Sequence, residues 1–118
     1  MTIREVYAYA GGNYDETVKR LGSEEIVNRF AERFLSDGSF CSLEKAFDEG
    51  DGESAFRAAH TLKGVAKNLG FTDLGDSASV LTEILRNRVF DGAKPVFEKV
   101  KSDYDRLIRA LTVYTENK

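Results

Sequence analysis

This 118-residue chain contains one cysteine, one proline and one histidine, and each scarcity excludes something. The lone Cys41 cannot form an intramolecular disulfide, and a single thiol fits a reducing compartment. One histidine and one cysteine are too few for a natural zinc site. With Pro95 as the only proline, helices can run long, and few strand-like alternations compete with them. No stretch approaches the roughly 20 apolar residues that cross a bilayer. Met1 to Gly12 lacks the basic start and apolar run of a secretory signal, so the expected location is cytoplasmic, with no membrane association. Nor is there an excess of positive charge: the net charge is -3, against the basic surface that a nucleic-acid binder needs. No GxxxxGK[ST] sequence and no glycine-rich phosphate loop is present, so ATP binding and autophosphorylation are not expected.

What is present reads as one helical domain spanning 1–118. The 42% hydrophobic and 31% charged residues are an ordinary globular balance. Thr2 and Asn13 each precede a Glu by three positions, the signature of a helix start. The second of these helices should end at Leu21, with Gly22 as a left-handed stop. Ser23 is expected to cap a helix to about Ser36 that buries Ile26, Val27, Phe30, Phe34 and Leu35. Ser39 should cap Phe40 to Glu49, Asp51 should cap Gly52 to Leu69 with Gly70 closing it, and Thr72 should cap the next. Pro95 suits the first turn of a last helix to about Tyr114. Short connections between amphipathic helices imply an all-α fold, an antiparallel up-down-up-down four-helix bundle over 23–114. Short helices in an N-terminal extension, 1–22, would precede or cover it. One bundle that buries its own apolar stripes is expected to be a monomer.

The informative segment is Ala58-Ala59-His60-Thr61-Leu62-Lys63-Gly64-Val65-Ala66-Lys67-Asn68-Leu69-Gly70. At about 100° per residue, Ala55, Ala58, Leu62, Val65 and Leu69 form the buried stripe. His60 projects almost opposite, with Glu53, Phe56, Arg57, Lys63, Gly64, Lys67 and Asn68 around it. An exposed imidazole is a nucleophile that is substantially neutral near physiological pH. Arg57, Lys63 and Lys67 are placed to neutralise an anionic group attached to it, such as a phosphoryl. A glycine in mid-helix costs roughly 1 kcal/mol against alanine, so Gly64 needs a compensating reason. Close approach of a partner backbone beside His60 is the simplest, although close helix packing would serve as well. A lone helical histidine or a run of lysines is more often just a solvated face; the coincidence on one short face is what argues otherwise. Phe56 suits either a docking surface or packing against a neighbouring helix.

His60-Thr61-Leu62-Lys63-Gly64 followed by Asn68-Leu69-Gly70 resembles the signature of the histidine-containing phosphotransfer (HPt) domain family of two-component phosphorelay signalling. The likeness spans about Ser23 to Tyr114. It implies that His60 is the phosphoacceptor through Nε2, that Lys63 contacts phosphoryl oxygens, that Gly64 leaves room for a receiver domain and that Gly70 ends the helix. Partners would be response-regulator receiver domains and a hybrid sensor histidine kinase. The protein would be a phosphocarrier and not an enzyme, with no cofactor of its own, the Mg²⁺ belonging to the receiver. In one respect the chain departs from the family: the usual Glu after the leucine at Leu81 is Thr82, with Glu83 next, at a position expected to be remote from the chemistry. Beginning at Met1 with its own extension, the chain reads as a stand-alone carrier. The alternatives are a kinase-fed acceptor module from a hybrid sensor or chemotaxis kinase, and a non-catalytic helical interaction module in which His60 is a bystander.

Overall fold

The computed structural model describes residues 1–117, and among them it is all-helical, with no strand. Seven α-helices follow one another: α1 (Ile3–Tyr9), α2 (Tyr14–Leu21), α3 (Glu24–Arg33), α4 (Ser39–Glu49), α5 (Gly52–Asn68), α6 (Thr72–Ile84) and α7 (Ala93–Glu116). Short 3₁₀ turns at Phe34–Ser36 and Leu85–Asn87 finish α3 and α6. The N-terminal caps follow the local chemistry of the sequence. The Thr2 hydroxyl accepts from the Glu5 amide while the Glu5 carboxylate accepts from the Thr2 amide, closing a capping box. Asn13, Ser23 and Asp51 accept from the amides of Glu16, Ile26 and Ser54.

Two expected caps are different. Ser39 is the first residue of α4, and the carboxylate of Asp37 accepts from its amide. Thr72 is the first residue of α6 with Phe71 at the cap, and no side chain takes the capping bond. In both places the chain turns tightly, so the residue expected at the cap is already helical. The expected helix to Ser36 is α-helical to Arg33 and finishes as the 3₁₀ turn to Ser36, and of its anticipated core residues Val27 and Phe34 are buried while Ile26, Phe30 and Leu35 are only partly so.

The core is built from α4 to α7. Helix α5 packs on α4 and on α6, and α6 packs on α7. Aromatic rings join α4 to α7: Phe40 stacks on Tyr104 at 4.2 Å and Phe47 on Phe97 at 4.3 Å between ring centroids. Leu43, Ala55, Ala59, Leu62, Ala66, Leu74, Leu81, Val100, Leu107 and Leu111 fill the interior. Burying a side chain such as Leu62 is worth roughly 1.5–3 kcal/mol. The buried stripe of α5 also takes in Gly52, Ala59 and Ala66, while Val65 is only partly covered.

The N-terminal helices are tied into this core. Helix α1 packs on α7, and α3 packs on α2 and α7. Between Gly11 and Asn13 the chain lies along the α5–α6 turn: the Asn13 amide donates to the Gly70 carbonyl at 2.9 Å and the Asp73 amide to the Gly11 carbonyl at 3.0 Å. The buried Tyr7 hydroxyl donates to the Leu69 carbonyl at 2.6 Å, and the Arg20 guanidinium donates to the Lys67 and Asn68 carbonyls. The C-terminal carbonyls of α5, which a helix leaves without intrahelical partners, are thereby satisfied from the N-terminal segment. Gly70 turns the chain with φ 73°, the left-handed conformation expected of a helix stop.

Candidate functional site

His60 sits near the middle of α5, on the side turned away from the core, and is exposed. Ala59 and Leu62, which flank it in register, are completely buried, so the helix is fixed beneath the imidazole while the ring stands in solvent. No hydrogen bond engages either ring nitrogen among the described residues. One turn earlier, the Phe56 ring lies at 29° to the imidazole with 6.1 Å between centroids. One turn later, a side chain at Gly64 would meet no atom within 4 Å. Helix packing therefore supplies no reason for that glycine.

The three expected cations do not behave alike. Lys63 is half-buried and has no carboxylate within ion-pair distance among the described residues. Arg57 is paired with Glu53 at 2.9 Å, an exposed i,i+4 pair. Lys67 reaches across to Asp76 on α6 at 3.4 Å, and its stem packs where a Cβ on the buried Gly75 would be. Of the three, Lys63 is the one without an ion pair among the described residues. Asp51, named from the sequence as structural, caps α5 through both carboxylate oxygens, to the Ser54 amide and hydroxyl. Those bonds hold its carboxyl below the ordinary range.

Further residues join the site from α6 and the 3₁₀ turn that ends it. Arg88 lies over the Phe56 ring at 3.9 Å, Arg86 at 5.8 Å, and both remain exposed. Arg88 also donates to Glu53 at 2.8 Å and to the Arg86 carbonyl, so Glu53 bridges Arg57 and Arg88. Arg86 holds Glu83 with two hydrogen bonds, at 2.7 and 3.0 Å. The bond to Arg86 keeps the Glu83 carboxyl below its ordinary range, and the charge of Lys63 adds to that. Glu53 is lowered in the same way, first by its bond to Arg88. Thr82 is fully buried and donates to the Ala78 carbonyl at 2.7 Å. Its neighbour Glu83, however, falls within electrostatic reach of Lys63, so this part of α6 is not remote from the site. Sequence reasoning missed Arg86 and Arg88. The i,i+3 spacing from Glu83 hints at Arg86, and no local signal points to Arg88.

Between α3 and the C-terminal half of α5, Phe30, Phe34, Val65 and Leu69, with Arg33, Ser36, Asp37 and Asn68, line an open cavity of about 280 Å³. No group of three or more His, Cys, Asp and Glu side chains is placed to hold a metal ion among the described residues, and no described helix is long and apolar enough to cross a membrane.

A family model described as Hpt domain matches residues 37–110, which run from the turn before α4 to near the end of α7 and include His60, Lys63 and Gly64. The chain belongs to the Hpt domain family. No curated protein and no solved structure matches it. Hpt domains are phosphocarrier modules rather than catalytic enzymes, and act in histidine phosphotransfer with receiver domains and kinases of two-component signalling. The match begins after α3 and leaves α1 to α3 outside it.

Proposed function

We propose that this Hpt domain is a phosphorelay intermediate that accepts a phosphoryl group on His60 from a receiver-domain aspartate and passes it to a second receiver. The observation that carries this reading is the exposed His60, with both ring nitrogens open, Lys63 without an ion pair one turn on and empty space at Gly64. In the transfer, the Nε2 lone pair of the neutral imidazole forms an N–P bond as the aspartyl O–P bond breaks, releasing the receiver's carboxylate. The proton on Nδ1 stays where it is. Lys63 neutralises the phosphoryl oxygens, and the clear surface at Gly64 lets the receiver's backbone approach in line, so the rate comes from position and charge. The receiver brings its own acidic pocket and Mg²⁺; this chain needs no cofactor and has no kinase activity of its own.

Residues 1–118 act as one cytoplasmic, monomeric unit, with α4 to α7 as an antiparallel up-down-up-down bundle and the N-terminal helices bracing the end of α5. Phe56 flanks His60 as docking surface, while Arg57 and Lys67 support the positive field around it. The test is to incubate the protein with radiolabelled phospho-receiver domains, comparing wild type with His60→Gln. Acid-labile label on wild type alone supports the proposal. Equal labelling of His60→Gln, or none on a folded wild-type protein from any receiver, contradicts it.

A further inference from the structure

The basic face beside His60 is assembled from two distant parts of the chain, and its construction is specific. Arg88 is the one non-glycine residue with positive φ among the described residues, at 62°. Its carbonyl oxygen lodges against Gly52, where any side chain would overlap it. A turn that had only to join α6 to α7 could take this conformation with glycine or asparagine. An arginine here, locked against the first turn of α5, sets a guanidinium on the face of Phe56, and Phe56 is in turn the aromatic neighbour of His60.

The charges point to the occupant. Arg57, Arg86, Arg88 and Lys63 outnumber Asp51, Glu53 and Glu83 on this face, although the chain as a whole carries -3. Side chains in the Arg86–Glu83 and Arg88–Glu53 pairs are 41–60% exposed, so the pairs are screened and weak. Exchanging these internal carboxylates for one brought by a docking protein is therefore cheap. In a surface that then excludes water the new pair is stronger.

We infer that Arg86 and Arg88, seated on Phe56, form a clamp for an acidic side chain on the rim of the docking receiver domain, and so select among receivers. This inference rests on the carrier function proposed above. The clamp acts in docking and not in the transfer step, since both arginines lie over the Phe56 ring, one turn from His60, and neither bonds to the imidazole.

The test measures phosphoryl acceptance against receiver concentration for wild type, Arg88→Gly, Arg86→Gln and Arg109→Gln. Glycine at 88 keeps the left-handed turn while removing the guanidinium, and unchanged melting confirms the fold. Arg109 is exposed on α7, which packs against α6, α1 and α3, and it controls for general loss of charge. For the receiver that wild type prefers, half-saturation in Arg88→Gly and Arg86→Gln should rise about tenfold at low salt, with the saturating rate kept. That difference should shrink at high salt, and Arg109→Gln should match wild type. Unchanged half-saturation in a variant of a working wild type overturns the clamp alone, as does an equal rise in Arg109→Gln. A wild type that accepts no phosphoryl group from any receiver overturns both the carrier function and the clamp.

Discussion

The C-terminal end of α5 and the face at its middle are held in opposite ways. Its C-terminal end is tied down: Tyr7, Arg20 and the Asn13 amide satisfy the carbonyls of Lys67 to Gly70. The face that carries His60 is open, and nothing covers the imidazole or the space at Gly64. What organises that face is a set of exposed ion pairs and one aromatic ring. A rigid nucleophile needs both halves. The closed end fixes where the helix stands, and the open face leaves the ring accessible. Changes at the open face should therefore alter transfer and spare stability, and changes at the closed end should do the reverse.

The largest effect is expected on the open face. Gly64→Gln should lower exchange with receivers by about 100-fold, through displacement of the docked partner, while the melting temperature stays the same or rises slightly. Single-turnover transfer beside a thermal melt checks this, and unimpaired exchange would remove the clearance role.

At the closed end, Gly70→Val should cost about 2 kcal/mol or more. The residue adopts a left-handed φ of 73°, and a side chain there would overlap the Thr17 hydroxyl. Denaturant unfolding gives the loss, and transfer measured well below the melting point should be little changed. A variant that transferred poorly while folded would break the division between the closed end and the open face.

Tyr7→Phe is the gentler probe of the same end. It removes the donor to the Leu69 carbonyl and leaves that acceptor without its partner, at a cost of about 1–2 kcal/mol. If the loss were negligible, the N-terminal segment would be an ornament on the bundle and not a brace.

The smallest effect concerns pH. Glu5, Asp51, Glu53 and Glu83 all have carboxyls lowered by hydrogen bonds in the fold. Such groups stabilise the protein above their ordinary values of 4.5 for Glu and 3.8 for Asp, and that contribution is lost as pH falls through the lowered values. Stability should thus decline on acidification below about pH 4.5, and Glu53→Gln should flatten part of the decline. All four are exposed, so the change is small. An unaltered profile in Glu53→Gln would show that the Arg57–Glu53–Arg88 bridge contributes nothing measurable.

How much of this could be read from the sequence follows from how local each feature is. The caps at Thr2, Asn13, Ser23 and Asp51 were legible because donor and acceptor are three residues apart. Ser39 and Thr72 misled because the chain turns one residue earlier than their chemistry suggests. The exposure of His60 follows from helical periodicity alone, and so does the burial of Leu62. The same wheel placed Arg57, Lys63 and Lys67 together but could not show that Asp76, on the next helix, takes the Lys67 charge. Least legible was the Arg88–Glu53 bond, whose partners are 35 residues apart and meet only because Gly52 admits the Arg88 carbonyl.

The central claim is that the phosphoryl group is carried on the exposed ring of His60. Its most direct test is phosphorus NMR, with peptide mapping, of the protein after incubation with a phospho-receiver. A single N-phosphorylated imidazole at His60, bonded through Nε2 and labile to acid, is the predicted result. Phosphate on a hydroxyl or carboxylate, or on any residue other than His60, would contradict it.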